Sequence, residues 1–525
     1  MLTMYQKKWL RQHATRMIFL LFLVIGCYVM TLQHAFLSDD IAVIQNNPLV
    51  GDFGNAFIRP QSALRTLLYT TIYTVTGADP TLFRLSNILF HAGSVLLLYA
   101  IVCAFGFELI AFFAASIFAV HPLVTESVTW ISGGTYAQYG FFFLAAFLFY
   151  LIARRSVWRY ILSIFFFILA LWTSEKATVF PLLLVWYELC FGSLKESYKR
   201  LLPYFALAGA LGVFYISQIG QRVESLQTNF YQSAGVMNPL YQIPIALSSY
   251  LILFMLPLSL SFYHSELVFT KTEFFLRSVL VVIYFVLLTV TFKKQKFVAF
   301  WLGMFTIILL PTLTPLPIAW VVAERYVYLG IAALSVVLAW GLAKLVLHEN
   351  TKYIGYGLFM IVILSLIPRT LSRNLDWRNQ DYLWLATGKT APNSPQNHNN
   401  LGDYYSRHGD FDQAIIHFKR AIELNPQYGD AFHNLGTTYQ QKKDIPNAIA
   451  SYERAIATNP NLWQSYQAIG YLLFIQNKFT EAETVLHKAL KIAPQEPNIR
   501  RNLAIVLVKL HKEEEAKEIM QDVAQ

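Results

Sequence analysis

The chain has 525 residues, of which 56% are hydrophobic, 16% aromatic and 14% charged. Soluble domains carry about 25% charged residues, so this composition excludes an ordinary cytosolic enzyme and indicates a polytopic membrane protein. The formal charge of +10 is unevenly placed: residues 1–394 hold 27 basic against 16 acidic side chains, net +11, and residues 395–525 hold 14 against 15, net −1. Short cationic loops between apolar segments fit the positive-inside rule and give no support to a nucleic-acid partner.

The first apolar segment, Met17–Phe36, follows Lys7, Lys8, Arg11 and Arg16. It is long enough to span and lacks a small-residue cleavage site, so it reads as an uncleaved first helix with a cytoplasmic start. Further apolar segments lie near Leu82–Phe105, Leu109–Val120, Gly140–Ala153, Trp158–Trp172, Ala177–Phe191 and Leu201–Ile219. Gln242–Leu260, Leu276–Phe292, Phe297–Leu310, Val327–Leu347 and Tyr353–Leu371 complete twelve. Three basic linkers should be cytoplasmic: Arg154, Arg155 and Arg159; Lys195, Lys199 and Arg200; Lys293, Lys294 and Lys296. Twelve alternate crossings would put the last two on opposite sides. One segment is therefore not a full span, and Gln242–Leu260, interrupted by Pro244 and Pro257, is the expected exception. Eleven spans place the C-terminal part outside the cytoplasm.

Composition changes after Leu371. Residues 372–394 read as a linker with a partial repeat, and residues 395–525 as about four repeats. Leu401-Gly402, Leu435-Gly436, Ile469-Gly470 and Leu503-Ala504 recur every 34 residues. Ala414, Ala448, Ala482 and Ala516 keep the same register, as do Phe418, Tyr452, Leu486 and Met520, and Pro426, Pro460 and Pro494 close the first three units. This period and pattern are those of the tetratricopeptide repeat, in which small residues let paired helices approach and large ones fill the seam. Inner-helix positions of such a solenoid face a groove. By register these include Asn399, Asp403, Ser406, His433, Thr437, Gln440, Gln467 and Tyr471, a polar row suited to an extended peptide or simply to water.

Ionisable residues cluster in the loops expected outside. Asp39-Asp40 follows the first span. Asp favours turns, but a carboxylate at the membrane surface can also take a proton from a hydroxyl. In an extended loop neighbours point opposite ways, so one Asp would face substrate and the other support it. Arg59, with Arg65 beyond, either snorkels or meets a lipid phosphate. His121-Pro122 ends one apolar run, and a helix restarting after it would bring Glu126 close to His121. Glu175-Lys176 lies between two runs, as a local ion pair or as a phosphate site. Arg325-Tyr326, after the proline-rich Pro311–Pro317 stretch, is a further phosphate candidate. Cys27, Cys103 and Cys190 have no metal-ligand spacing, and no nucleotide loop, nucleophile elbow or zinc motif is present.

Taken together, these segments resemble the transmembrane and tetratricopeptide-repeat family of O-mannosyltransferases and its bacterial relatives. The resemblance rests on the Asp39-Asp40 pair, on Ile41–Pro48, Arg59-Pro60, His121–Glu126, Glu324–Leu329 and Asp376–Asn379, and on the repeats that follow. Glu175-Lys176 departs from it, since family members often show the reverse order. The resemblance implies an all-α chain, with a multi-span GT-C body (1–371) before a tetratricopeptide-repeat solenoid. It implies inverting transfer of a sugar, possibly mannose, from a polyprenyl-phosphate donor to a protein hydroxyl. Asp39 or Asp40 would be the base, and Arg59, Lys176 or Arg325 would stabilise the departing phosphate. His121, Glu126, Glu175 and Tyr326 belong to the same expected site. The expected partners are membrane lipid, the lipid-linked sugar and an acceptor protein held by the repeats, in a bacterial inner membrane with the repeats periplasmic. No metal is required by any cluster. The competing readings are a non-enzymatic scaffold that recruits envelope-assembly partners, and a GT-C enzyme with a glycan or lipid acceptor.

Overall fold

The computed structural model describes residues 4–57, 62–153, 156–217, 238–264, 267, 269–313 and 320–521. Arg59 and most of the proline-rich stretch lie outside the described residues. Among the described residues the chain is helical, with no strand, and divides into two compact units, 1–383 and 384–525.

Unit 1 contains α1 (Met4–Tyr28), α2 (Ala63–Thr76), α3 (Pro80–Ala104), α4 (Glu108–Val120), α5 (Thr125–Val128), α6 (Thr135–Ile152) and α7 (Val157–Thr173). It continues with α8 (Phe180–Phe191), α9 (Leu194–Ser217), α10 (Pro239–Met255), α11 (Lys271–Lys294), α12 (Lys296–Leu309), α13 (Tyr328–Leu347) and α14 (Lys352–Asp376). Each of the twelve apolar segments contains a helix, yet fewer meet the length of a full span. Among the described residues six helices are long and apolar enough to cross a membrane, or seven if α4 and the short turns after it, bent by 55°, count as one. Val157–Thr173, Leu240–Met255 and Lys296–Thr312 are apolar but shorter. The chain is a multi-pass membrane protein.

The helices of unit 1 run between two ends. At one, Arg16 meets Glu108 at 2.6 Å, the Tyr160 hydroxyl donates to Arg200 O, and Phe105 packs on Phe191 and Phe297. The basic clusters Lys195–Arg200 and Lys293–Lys296 share this end. At the other end lie the loops that follow α1, α4, α7 and α10 and those that precede α13 and follow α14. Helix α10 brings both its ends here: Tyr241 lies on Phe274 in the first turn of α11, and Phe254 stacks on His121. It does not traverse the unit, which is why the two basic clusters fall on one side.

Helix α2 was not expected. Its threonines lower its apolarity below that of a span, and its Tyr69 and Ile72 instead pack with Phe36, Ile44, Val50, Phe83 and Ile131 into a small satellite core over the loop-rich end.

Residues 372–394, expected as linker and partial repeat, comprise the last turn of α14 and a helix, Gln380–Thr390. Unit 2 then holds four helix pairs from Pro395–Arg407 to Glu513–Gln521. The 34-residue columns have a steric cause. A Cβ on Gly402 would sit 2.6 Å from Phe418, on Gly436 2.7 Å from Tyr452, and on Gly470 2.6 Å from Leu486. Ala414, Ala448 and Ala482 are completely buried where the paired helices cross. A further column escapes the apolar pattern: Gly409, Lys443, Asn477 and His511, each with φ between 58° and 79°, end the first helix of each pair in the left-handed conformation.

Candidate active site

The two adjacent acids have opposite fates. Ser38 takes a positive φ of 47°, and Asp40 has helical φ/ψ at the cap of the short turn Ile41–Gln45. This tight turn, not an extended loop, separates the carboxylates. Asp40 is fully buried; its Oδ1 accepts from Ser132 N at 2.8 Å and Ser132 Oγ at 2.5 Å, and its Oδ2 from Leu37 N at 3.3 Å. Asp39 is exposed, with Ser38 Oγ at 3.5 Å from its Oδ1. Burial pushes the Asp40 carboxyl up to about 6, although the Ser132 and Leu37 bonds and the Arg84 charge all pull it back down.

Arg84 is the main residue that sequence reasoning missed. It is fully buried in the first turns of α3, and its guanidinium donates to three carbonyls: Thr129 O at 2.8 Å, His34 O at 2.6 Å and Ala35 O at 2.9 Å. The rigid fork of donors suits this triple grip. It ties the loop before Asp39 to the chain after α5. The signal was available, since an ionisable residue inside an apolar segment is costly and marks function. The end of α14 and the motif Asp376–Asn379 support the same loop from behind. Arg378 O accepts from Ala35 N, Asn374 accepts from Thr129 Oγ1 and donates to Cys27 O, and the fully buried Trp377 stacks on Trp130.

The segment from Glu126 to Tyr136 connects the remaining candidates. Glu126 is buried and binds Arg325 twice, through the Arg325 backbone N–H at 2.9 Å and through its guanidinium. Arg325 also lies over the Trp130 ring at 5.5 Å. Ser132 holds Asp40. Thr135 Oγ1 accepts from Arg65 at 3.2 Å, so the outer-loop cation seen here is Arg65. Tyr136 and Tyr326 face Lys176, whose Nζ is 5.2 Å and 3.6 Å from the two ring centres. Two glycines let this segment turn so tightly: a Cβ on Gly133 would lie 2.2 Å from Glu126 O, and one on Gly134 1.9 Å from Asn87 Oδ1.

A second buried pair joins Glu324 to Arg373 at 3.2 Å, with Ser261 N, His264 and Asp376 around it. His121 and Glu126, expected to lie close, take different partners. His121 caps the turn Pro122–Val124 by accepting from Leu123 N, and its Nε2 lies 3.1 Å from Phe254 O. Its ring is committed to structure, and Glu126 pairs with Arg325 instead. Glu175 and Lys176 form a short turn capped by Ser174, which accepts from Lys176 N.

In unit 2, several residues expected in a polar groove are occupied by other side chains of the repeats. Asn399 accepts from Asn434 at 3.0 Å, Ser406 donates to Gln441, His433 Nδ1 lies 2.9 Å from Ser465 Oγ, and the Tyr452 hydroxyl reaches both Thr437 and Gln440. Asp403 is ion-paired with Arg407 at 2.9 Å. Gln467 is half-buried and Tyr471 exposed. Among the described residues, Glu483, His487 and Glu515 form one group whose ligand atoms lie within 4.8 Å of one another, but Lys512 is ion-paired with Glu483 there. Sequence spacing did not show this group, because Glu515 comes from a different helix.

Comparison with known proteins covers both units. The tetratricopeptide-repeat family models match residues 396–428, 429–462 and 473–525. Over 77% of its length the chain is 25% identical to mouse protein O-mannosyl-transferase TMTC3, covering 50% of that protein. It is 24% identical to the Caenorhabditis elegans protein O-mannosyl-transferase F38B6.6 over 79% of its length, covering 64% of it, and 25% identical to human protein O-mannosyl-transferase TMTC1 over 78%, covering 55%. The chain thus spans about half to two thirds of the length of these curated relatives. Among solved structures, a crystal structure of MamA is 19% identical and matches 30% of this chain and 91% of its own, with a TM-score of 0.26. Unit 2 is a tetratricopeptide-repeat domain, and over about three quarters of its length the chain is similar to proteins named protein O-mannosyl-transferases.

Proposed function

We propose that the chain is a GT-C-type glycosyltransferase that moves a sugar, mannose by analogy with its relatives' names, from a polyprenyl-phosphate donor to a protein hydroxyl with inversion. In this reading Asp39 takes the proton of the acceptor hydroxyl. The hydroxyl oxygen forms a bond to the anomeric carbon as the bond from that carbon to the phosphate oxygen breaks, and the lipid phosphate leaves with the electron pair. Lys176 and Arg325 offer positive charge to the departing phosphate. Asp40 and Arg84 position the Asp39 turn and touch no substrate.

The observation that carries this reading is the exposure of Asp39, whereas three other acids of the loop-rich end, Asp40, Glu126 and Glu324, are buried and bonded inward. Of these four carboxylates Asp39 alone meets solvent at the loop-rich end. The basic clusters at the opposite end support a cytoplasmic assignment for that end. Helix α14 ends at the Asp39 end, which supports reading the chain beyond it as outside the cytoplasm, in the periplasm for a bacterial inner membrane. There the repeats hold the acceptor protein.

The test is transfer from polyprenyl-phosphate mannose to a Ser/Thr-containing acceptor by the reconstituted full chain, with product anomer read by NMR. Asp39→Asn should lower turnover at least 100-fold with an unchanged melting temperature. Full activity in that variant overturns the assignment of the base, and sugar recovered on glycan or lipid overturns the acceptor class.

A further inference from the structure

A cavity of about 320 Å³ lies in unit 1 between α4, α13, α14 and the end of α10. It shares no residue with the groups assigned above to acceptor and donor. The fully buried Ile117 and His121 line its inner side, and the exposed Met255, Leu256 and Leu258 line its rim. Large exposed apolar side chains around a hollow in a membrane-spanning unit face lipid tails rather than water.

Three of the lining residues are polar, and two of them are spent on the protein. His121 accepts from Leu123 N and has its Nε2 on Phe254 O, and Ser365 Oγ donates to Val362 O at 2.9 Å. The third is Arg369. Its Nε donates to Pro257 O at 2.9 Å and its Nη2 to Leu258 O at 3.1 Å, which fixes the guanidinium. Its Nη1 has no protein partner among the described residues, and the acids nearest in charge, Glu324 and Asp376, are ion-paired with Arg373. Arg369 stands seven residues, about 10 Å, before the end of α14. A cation at such a depth in a spanning helix calls for an anion. A fixed, planar guanidinium is suited to a phosphate, and an apolar hollow of this size with one convergent polar group is suited to a lipid chain.

We infer that this cavity binds an anionic glycerophospholipid, with the phosphate on Arg369 and one acyl chain against Ile117, Leu338, Val362 and Leu366. The bound lipid fastens the turn Leu256–Leu258 to α14. Three residues beyond that turn, Ser261 N donates to Glu324 at 2.6 Å, so one strap joins the lipid site to the buried Glu324–Arg373 pair.

The experiment uses the full chain in dodecyl maltoside. Bound dioleoyl phosphatidylglycerol is counted by native mass spectrometry, and its effect is read as a rise in melting temperature. One phosphatidylglycerol should bind, and dioleoyl phosphatidylcholine, with the same chains and phosphate but no net charge, should bind at least 10-fold more weakly. Arg369→Gln should weaken binding at least 10-fold, and Arg369→Lys, which keeps the charge, by less. Val362→Trp fills the hollow, leaves the Arg369 side chain in place and should also weaken binding at least 10-fold. Leu364→Trp, on the same helix but outside the cavity, should leave it unchanged. Melting temperatures without lipid confirm that each variant is folded. Equal binding of phosphatidylcholine, or unchanged binding in either Arg369→Gln or Val362→Trp, overturns the inference. So does equal stabilisation by inorganic phosphate, since an anion alone would then be the ligand. Tighter binding of polyprenyl phosphate, lost in the same variants, overturns it too, since the cavity would then seat the donor. No sugar is transferred in this assay, so its failure and the failure of the glycosyltransferase reading are separate results.

Discussion

Ser132 gives both its backbone N–H and its hydroxyl to one carboxylate oxygen of Asp40, at 2.8 and 2.5 Å. Two donors on a single acceptor fix that carboxylate, and with it the turn that carries Asp39, against the segment that also carries Glu126 and Tyr136. Hydrogen bonds to an ionised group contribute roughly 1.5–3 kcal/mol each. Ser132→Ala removes one of the two and leaves the backbone donor. Turnover should fall about 10-fold or more, with the donor KM unchanged and a loss of stability of about 1–2 kcal/mol. Steady-state kinetics beside a denaturation curve check this. A raised KM with unchanged turnover would instead place Ser132 in substrate binding.

The Asp40 carboxyl, pushed up to about 6, makes stability and activity respond to acid in opposite directions. The folded state takes up a proton near pH 6, whereas the unfolded chain does so near the ordinary carboxylate value of about 4. Between these values the folded state binds more protons, so this group makes the protein more stable as pH falls from 6 to 4. The protonated carboxyl is a weaker acceptor for Ser132, so the turn loosens and activity declines over the same window. The melting temperature of the wild type minus that of Asp40→Asn should therefore rise on going from pH 7 to pH 4.5, while wild-type turnover drops. A difference that does not change with pH is the contrary outcome.

Much of this arrangement was legible in the amino-acid sequence. Asp39-Asp40, Glu126, Lys176, Arg325 and Tyr326 were visible as ionisable or aromatic residues stranded between apolar runs, and the repeats as columns 34 residues apart. Partners were not legible, because they are set by packing between distant elements. Arg84 pairs with carbonyls about 45 to 50 positions away, and Glu126 with a residue 199 positions away. Ser132 carries no charge and lies among small residues, so nothing marked it locally. Helix α2 was invisible because its five threonines interrupt the apolar residues and it is too short to read as a span. In the repeats, register gave a polar row of inner-helix positions but not that Asn399, Ser406 and His433 would be occupied by residues of neighbouring helices.

The left-handed column of the repeats gives a stability prediction independent of any activity. Lys443 stands at φ 63° where the first repeat has Gly409 at 79°. A non-glycine residue in that region costs roughly 1–2 kcal/mol from the clash of its Cβ with the carbonyl oxygen. Glycine removes the clash but adds freedom to the unfolded chain, which returns part of the gain. Lys443→Gly should stabilise unit 2 by on the order of 0.5–1 kcal/mol, read as slower hydrogen exchange of the Gly429–Gln441 and Ile445–Thr458 helices in the intact protein. Faster exchange there would show that the Lys443 side chain contributes more than its backbone costs.

Arg84 tests whether the loop is held by charge or by shape. A lysine in its place keeps the positive charge near Asp40 but has one nitrogen on a flexible stem, and cannot reach His34 O, Ala35 O and Thr129 O together. Each carbonyl left buried without a donor costs roughly 1–3 kcal/mol. Arg84→Lys should therefore destabilise unit 1 by about 2–4 kcal/mol. If shape governs, turnover falls at least 10-fold, the donor KM stays constant, and the loop before Asp39 gains hydrogen exchange at Leu37 and Asp40. If charge alone governs, Arg84→Lys keeps its turnover and Arg84→Gln, which is neutral and still polar, loses it. The three carbonyl contacts at 2.6–2.9 Å favour the first outcome, since a guanidinium that served only as a point charge would have no need to meet each of them.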